Sequence, residues 1–103
     1  MDFKNVLGKS TGIITYDNFS TLDVSSGIKG NIDNLKEDLL QIEYHNNLIL
    51  DLGWYPSFNK KGAFSISIIK DFNWENPIKV QKCKSFEELG NFITEFINYC
   101  NNY

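Results

Sequence analysis

The stretch from Asp51 to Pro77, DLGWYPSFNKKGAFSISIIKDFNWENP, constrains the fold more than any other part of the chain. Within Ala63–Lys70, Phe64, Ile66 and Ile68 alternate with Ser65 and Ser67, the period-two pattern of a strand with one buried face. The run Leu48–Tyr55 alternates in the same way, with Leu48, Leu50, Leu52 and Trp54 on one side and Ile49, Asp51, Gly53 and Tyr55 on the other. Pro56 cannot donate to a ladder and ends that strand, and the Lys60-Lys61-Gly62 turn returns the chain to the next. Two such runs must pair as a hairpin whose apolar side needs a cover.

Parity extends the sheet backwards. Treating His45-Asn46-Asn47 as a three-residue loop places Tyr44 opposite Leu48, Ile42 opposite Leu50 and Leu40 opposite Leu52, so every apolar residue falls on one face. A two-residue loop would set Ile42 against Asp51 and scramble the faces. Asn47 supplies the left-handed conformation that the three-residue loop requires. Ahead of this hairpin, Ile32, Leu35 and Leu39 behind Asn31 predict a short helix over about 32–38. Residues 1–30, punctuated by Gly8, Gly12, Gly27 and Gly30, read as one or two edge strands.

The cover comes from the C-terminus. After a fourth strand over Ile78–Lys84, with Ile78 and Val80 pointing inward, Ser85-Phe86-Glu87-Glu88 forms a capping box. Phe86, Leu89, Phe92, Ile93, Phe96, Ile97 and Cys100 then make one apolar stripe. The expected fold class is α+β: an antiparallel sheet of about four to six strands packed against a long C-terminal amphipathic helix. Residues 1–103 make one domain, as a monomer or small oligomer, with enough core to fold without a metal or disulfide.

Composition narrows function mainly by exclusion. All ten basic residues are lysine, so the guanidinium fork that reads guanine or clamps phosphate is missing, and a formal charge of −3 disfavours direct nucleic-acid binding. Leu7-Gly8-Lys9-Ser10 matches only the tail of a phosphate-binding loop. His45 is the only histidine and reads as a turn residue, which removes the His-based triads and most zinc sites. Cys100 falls on the helix stripe and reads as core, whereas Cys83 reads as exposed near a strand end. No catalytic residue, metal or cofactor is expected. The chain shows neither the apolar core of a signal peptide nor a run of 18 apolar residues, so the expectation is a cytoplasmic protein with no membrane partner.

What remains is a surface. With the helix on one sheet face, the other carries Gln41, Glu43, Ile49, Asp51, Gly53, Tyr55, Ser65, Ser67, Ile69 and Asp71. Either the first thirty residues pack over part of it or it binds another protein, with Tyr55 as anchor and Asp51 and Asp71 meeting basic side chains. Trp74 and Glu75 stand at its rim, where Trp74 either closes the core or contributes to binding.

The pattern Asp51-Leu52-Gly53-Trp54-Tyr55-Pro56, then Gly62-Ala63-Phe64, then Asp71 with Trp74-Glu75-Asn76-Pro77, then the Ser-Phe-Glu-Glu-Leu helix opening, resembles small immunity proteins. These are encoded beside toxins of bacterial contact-dependent growth-inhibition and related polymorphic toxin systems. The resemblance covers about residues 48 to 97. It implies an immunity-like domain that is cytoplasmic and non-enzymatic, and that binds a cognate toxin domain, often a nuclease, occluding its active site or its access to substrate. The partner-binding residues expected on this reading are Asp51, Tyr55, Asp71, Trp74, Glu75 and Glu43. The competing readings are a small regulatory or ligand-binding module unrelated to toxins, and a small enzyme using Asp51, Asp71 or Glu75 as acid or base.

Overall fold

The hairpin pairing expected from parity is the one found in the computed structural model, which describes residues 2–103: Tyr44 faces Leu48, Ile42 faces Leu50 and Leu40 faces Leu52. Asn47 closes the turn with a φ of 56°. The elements in order are α1 (Phe3–Leu7), β1 (Ile13–Asp17), α2 (Gly27–Asn31), β2 (Leu40–Tyr44), β3 (Leu48–Tyr55), β4 (Ala63–Lys70), β5 (Lys79–Cys83) and α3 (Phe86–Asn101). The five strands form one antiparallel sheet in the order β1-β2-β3-β4-β5. The architecture is α+β, as expected, with α3 lying on β3, β4 and β5. The peptide bond between Tyr55 and Pro56, where β3 ends, is cis.

The cap of α3 is built as the sequence implies. Ser85 Oγ accepts the Glu88 backbone N–H at 3.1 Å and donates to Glu88 Oε1 at 3.1 Å, which satisfies one of the orphan donors of the first turn. From that start Phe86, Leu89, Ile93, Phe96, Ile97 and Cys100 are buried, while Phe92 is half-buried at the margin. Opposite them Leu40, Ile42, Leu50, Leu52, Trp54, Phe64, Ile66 and Ile68 are essentially fully buried.

The inward side of β5 differs from the expectation that Ile78 and Val80 point into the core. Cys83 pairs with Phe64, Gln81 with Ile66 and Lys79 with Ile68, so Lys79, Gln81 and Cys83 share the helix side. Val80 therefore faces the other way, Ile78 lies just ahead of the strand and outside the core cluster, and both are about half exposed. Burial of Cys83 against the core sets this parity, and Cys83 is accordingly buried, not exposed as its position near a strand end suggested. Lys79 tolerates the inward position because its stem runs along the helix. Its Nζ lies 5.0 Å from the Phe96 ring centroid and 2.9 Å from Glu95 Oε2.

The segment before β2 also differs. The short helix is present, but as α2 at 27–31 followed by a 3-10 turn at Ile32–Asn34, and residues 35–38 are neither helix nor strand, with a bend at Glu37. Leu35 and Leu39 are both fully buried, as their spacing implies, yet a separation of four residues also fits an extended chain. Trp54 N–H donates to Lys36 O at 2.8 Å and Leu39 N–H donates to Leu52 O at 3.1 Å. Residues 36–39 thus run beside the end of β3, with Glu37 and Asp38 bulging between the two bonds.

The N-terminal third contributes one edge strand, β1, which carries a bulge between Ile14 and Tyr16. The rest packs on the helix side. Phe3 stands edge-on to Phe19 at 4.9 Å and to Phe86 at 6.3 Å, and Phe86 meets Phe64 at 5.4 Å, which in turn stands edge-on to Trp54 at 4.9 Å. Asn101 of α3 ties this layer down: its Oδ1 accepts Thr11 N–H at 2.9 Å and its Nδ2 donates to Lys9 O at 2.8 Å. The first thirty residues therefore enlarge the existing core and do not lie over the second sheet face.

Phe64→Ala removes the ring that joins Trp54 to Phe86 and should lower unfolding free energy by about 3–5 kcal/mol in urea titration. Ser65→Ala, one residue away on the other face, should change it by less than about 0.5 kcal/mol.

Candidate functional site

The sheet face away from α3 is arranged in rows set by the strand register. One row runs Ile13–Glu43–Ile49–Ile69, the next Tyr16–Gln41–Asp51–Ser67–Val80, then Gly53–Ser65–Lys82, and last Tyr55–Ala63. Ile78, just ahead of β5, donates its N–H to Ile68 O at 2.9 Å. Ile49 and Ile69 are buried without belonging to the main core cluster, so this face has a small apolar centre of its own. Around it Ile13, Tyr16, Tyr55, Ile78 and Val80 remain exposed.

Acidic charge gathers toward the Tyr55 end. Asp51 is half-buried, and Gln41 Nε2 donates to its Oδ1 at 3.0 Å. Burial pushes the Asp51 carboxyl up from the usual carboxylate range, against the Gln41 hydrogen bond, and the nearby Asp38 charge pushes it further. The Tyr55 phenol is likewise raised, first by burial and then by the charges of Asp51, Glu37 and Asp38. The ion pair among the described residues joins Lys79 to Glu95, at the helix, and leaves Glu37, Asp38 and Asp51 without a paired cation.

Glycine at position 53 makes this grouping possible. A Cβ there would lie 2.0 Å from the Glu37 carbonyl oxygen and 2.9 Å from Tyr55 Cε2. Only hydrogen at that position lets the Glu37-Asp38 bulge cross close to β3 and bring its carboxylates beside Asp51 and Tyr55. Two shallow depressions flank the row. One of about 330 Å3 is lined by Tyr55, Ala63, Ser65 and Lys82, and one of about 240 Å3 by Tyr16, Asp38 and Gln41.

Of the residues singled out in the sequence, Asp51 and Tyr55 are brought together. Glu43 is exposed in the apolar row, opposite Ile49. Asp71 lies past the end of β4 with a φ of 54°, where strand parity no longer holds, and its backbone N–H donates to Asn47 O at 2.9 Å. Asn47 Nδ2 also donates to Asp71 Oδ1 at 3.4 Å, so Asp71 buttresses the β2–β3 turn, about 13 Å along β3 from Asp51. Trp74 and Glu75 are exposed on the β4–β5 loop, and Trp74 takes no part in the core cluster. Sequence reasoning missed Glu37, Asp38, Tyr16, Ile78 and Val80. The signal for the first two was present: an acidic pair between the buried Leu35 and Leu39 must turn outward.

Nucleophile chemistry finds little support. Burial pushes the Cys83 and Cys100 thiols up to about 11, so both are neutral thiols at physiological pH. Among the described residues no cluster of three His, Cys, Asp or Glu side chains is grouped to hold a metal ion, and no helix is long and apolar enough to cross a membrane. A scan against known protein families, a search of curated proteins and a search of solved structures each found no match.

Two outcomes test this geometry. Because the folded-state pKa of Asp51 is raised, the native state binds its proton more readily than the unfolded chain, and the resulting destabilisation is present at neutral pH and disappears as pH falls through the raised value. Asp51→Asn keeps an acceptor for Gln41 and should raise the urea midpoint at pH 7, with the advantage shrinking toward pH 4. Gly53→Ala should lower stability by about 2 kcal/mol or more, because the Cβ displaces the Glu37 backbone.

Proposed function

We propose that this chain is an immunity protein, a non-enzymatic binder that neutralises a cognate bacterial toxin domain in the cytoplasm by occluding its active site or substrate access. One observation carries the reading: an uncovered sheet face on which Tyr55 stands exposed beside carboxylates that have no paired cation among the described residues. Holding Asp51 half-buried near Asp38 costs the isolated protein stability. A cation delivered by a partner relieves that cost, so binding is favoured where folding is not.

The partner chemistry follows. A toxin domain that handles nucleic acid carries a basic groove, and an acidic face meets such a groove with complementary fields that speed encounter. The residues we assign to contact are Asp51, Tyr55 and the Glu37-Asp38 bulge at one end, with Glu43, Trp74, Glu75 and Asp71 toward the other. The resemblance of residues 48 to 97 to immunity proteins points the same way. A ligand-binding module fits less well, because small-molecule sites are enclosed clefts and the depressions on this face are shallow.

Co-expression with a candidate toxin domain, sought among the products of neighbouring genes, provides the test. The wild type should protect cells and co-purify with the toxin. Asp51→Ala combined with Tyr55→Ala should weaken affinity by at least about tenfold while retaining a native circular dichroism spectrum. Failure of the wild type either to co-purify or to protect would end the immunity reading.

A further inference from the structure

The apolar residues that β5 turns outward are not explained by the acidic end of the face. Val80 sits on the uncovered side of the edge strand β5, paired with Ser67, and Ile78 stands just ahead of that strand; they are 46% and 45% exposed. The loop that joins β4 to β5 begins immediately after that corner and carries Phe72 and Trp74, 62% and 47% exposed. Phe72 has a φ of 61°, a left-handed conformation that bulky side chains rarely adopt. An edge strand is ordinarily guarded against pairing by charge, and Lys79 and Lys82 supply it here. The exposed aliphatic residues on either side of Lys79 therefore invite contact through side chains and not through the strand backbone.

Val80 and Asp51 occupy the same row, separated only by Ser67. Two strand spacings put them about 10 Å apart, and the Tyr55 row lies about 20 Å along β3 from the Ile49 row. The face thus has an apolar corner and an acidic corner within the span of one standard interface, about 800 Å2 per partner. We infer that the binding face is bipartite: Phe72, Trp74, Ile78 and Val80 hold the partner by apolar contact, while Glu37, Asp38 and Asp51 capture it electrostatically.

The inference rests on the protein-binding reading of this face and commits to one occupant. That occupant is a protein surface that sets an apolar ridge beside lysines or arginines. Charge complementarity requires the basic part, since the strands contribute Glu43 and Asp51 against the single cation Lys82, and the bulge adds Glu37 and Asp38. The apolar corner sets the dissociation rate and is insensitive to salt. The acidic corner sets the association rate and is screened by salt.

The test uses a short amphipathic helical peptide of leucine and lysine and an oligolysine of equal length, each titrated into the isotopically labelled full chain by NMR. The Leu/Lys peptide should shift resonances of Ile69, Ile78, Val80 and Trp74 together with Asp51 and Tyr55, whereas oligolysine should shift only the second group. Ile78→Ser with Val80→Ser should weaken the Leu/Lys peptide by at least about tenfold and leave oligolysine unchanged. Glu37→Gln with Asp38→Asn should weaken both, and the loss should vanish in high salt. Shifts centred on the outer surface of α3, no binding of the Leu/Lys peptide, or an equal response of both probes to both double variants would overturn the inference. The toxin domain separates the two readings. If it ignores the wild type while the peptide maps as expected, only the toxin assignment falls; if it binds the wild type and the Ile78/Val80 variant equally, only the bipartite face falls.

Discussion

Phe86 is the contact on which the remaining structure depends. As the first residue of α3 it is fixed by the Ser85 cap, and its ring lies within 5.4 Å of Phe64, 6.3 Å of Phe3 and 6.4 Å of Phe19. Through these neighbours one side chain joins the helix, the central hairpin, α1 and the turn ahead of α2. Aromatic pairs at such separations add directional preference to apolar burial, so they orient the layers as well as hold them together. The cap and the ring act in sequence. Without Ser85 the helix start is free to fray, and without Phe86 the rings of Phe3 and Phe19 lose their aromatic link to Phe64 of the central hairpin.

Much of this was legible from residue spacing because the informative constraints are local. The register of β2 on β3 follows from parity and a single left-handed asparagine, and the start of α3 follows from four residues. The failures arise where one pattern serves two geometries. Leu35 and Leu39 fit a helix turn and an extended segment equally well, and hydrogen bonds to Leu52 and Trp54 decide between them. In β5, Ile78 and Val80 are the more apolar residues, but the partner of Phe64 sets the inward side, and that partner is Cys83. Lys79 points inward only because α3 supplies Glu95 and Phe96, which no inspection of the strand reveals.

The candidate site was half legible for the same reason. Asp51 and Tyr55 are neighbours by parity, so a strand assignment is enough to bring them together. Asp71 was placed beside them by extending that parity one residue too far, into a left-handed turn where alternation ceases. The carboxylates that complete the acidic corner come from a bulge, and a bulge is defined by its pairing partner, not by its own sequence. The glycine that accommodates it is visible in the sequence, yet only the proximity of the Glu37 carbonyl explains it.

Along β3 and β4 the even-numbered side chains, from Leu48 to Trp54 and from Phe64 to Ile68, build the core, while the odd-numbered ones form the opposite face. A lineage can therefore rewrite its odd positions and keep its fold. Gly53, Ile49 and Ile69 are the exceptions, the first held by backbone proximity and the other two by burial. Divergence within a set of such proteins would then appear as a comb, with variable teeth between fixed ones, and new binding preferences could arise by single substitutions that never pass through an unfolded intermediate sequence.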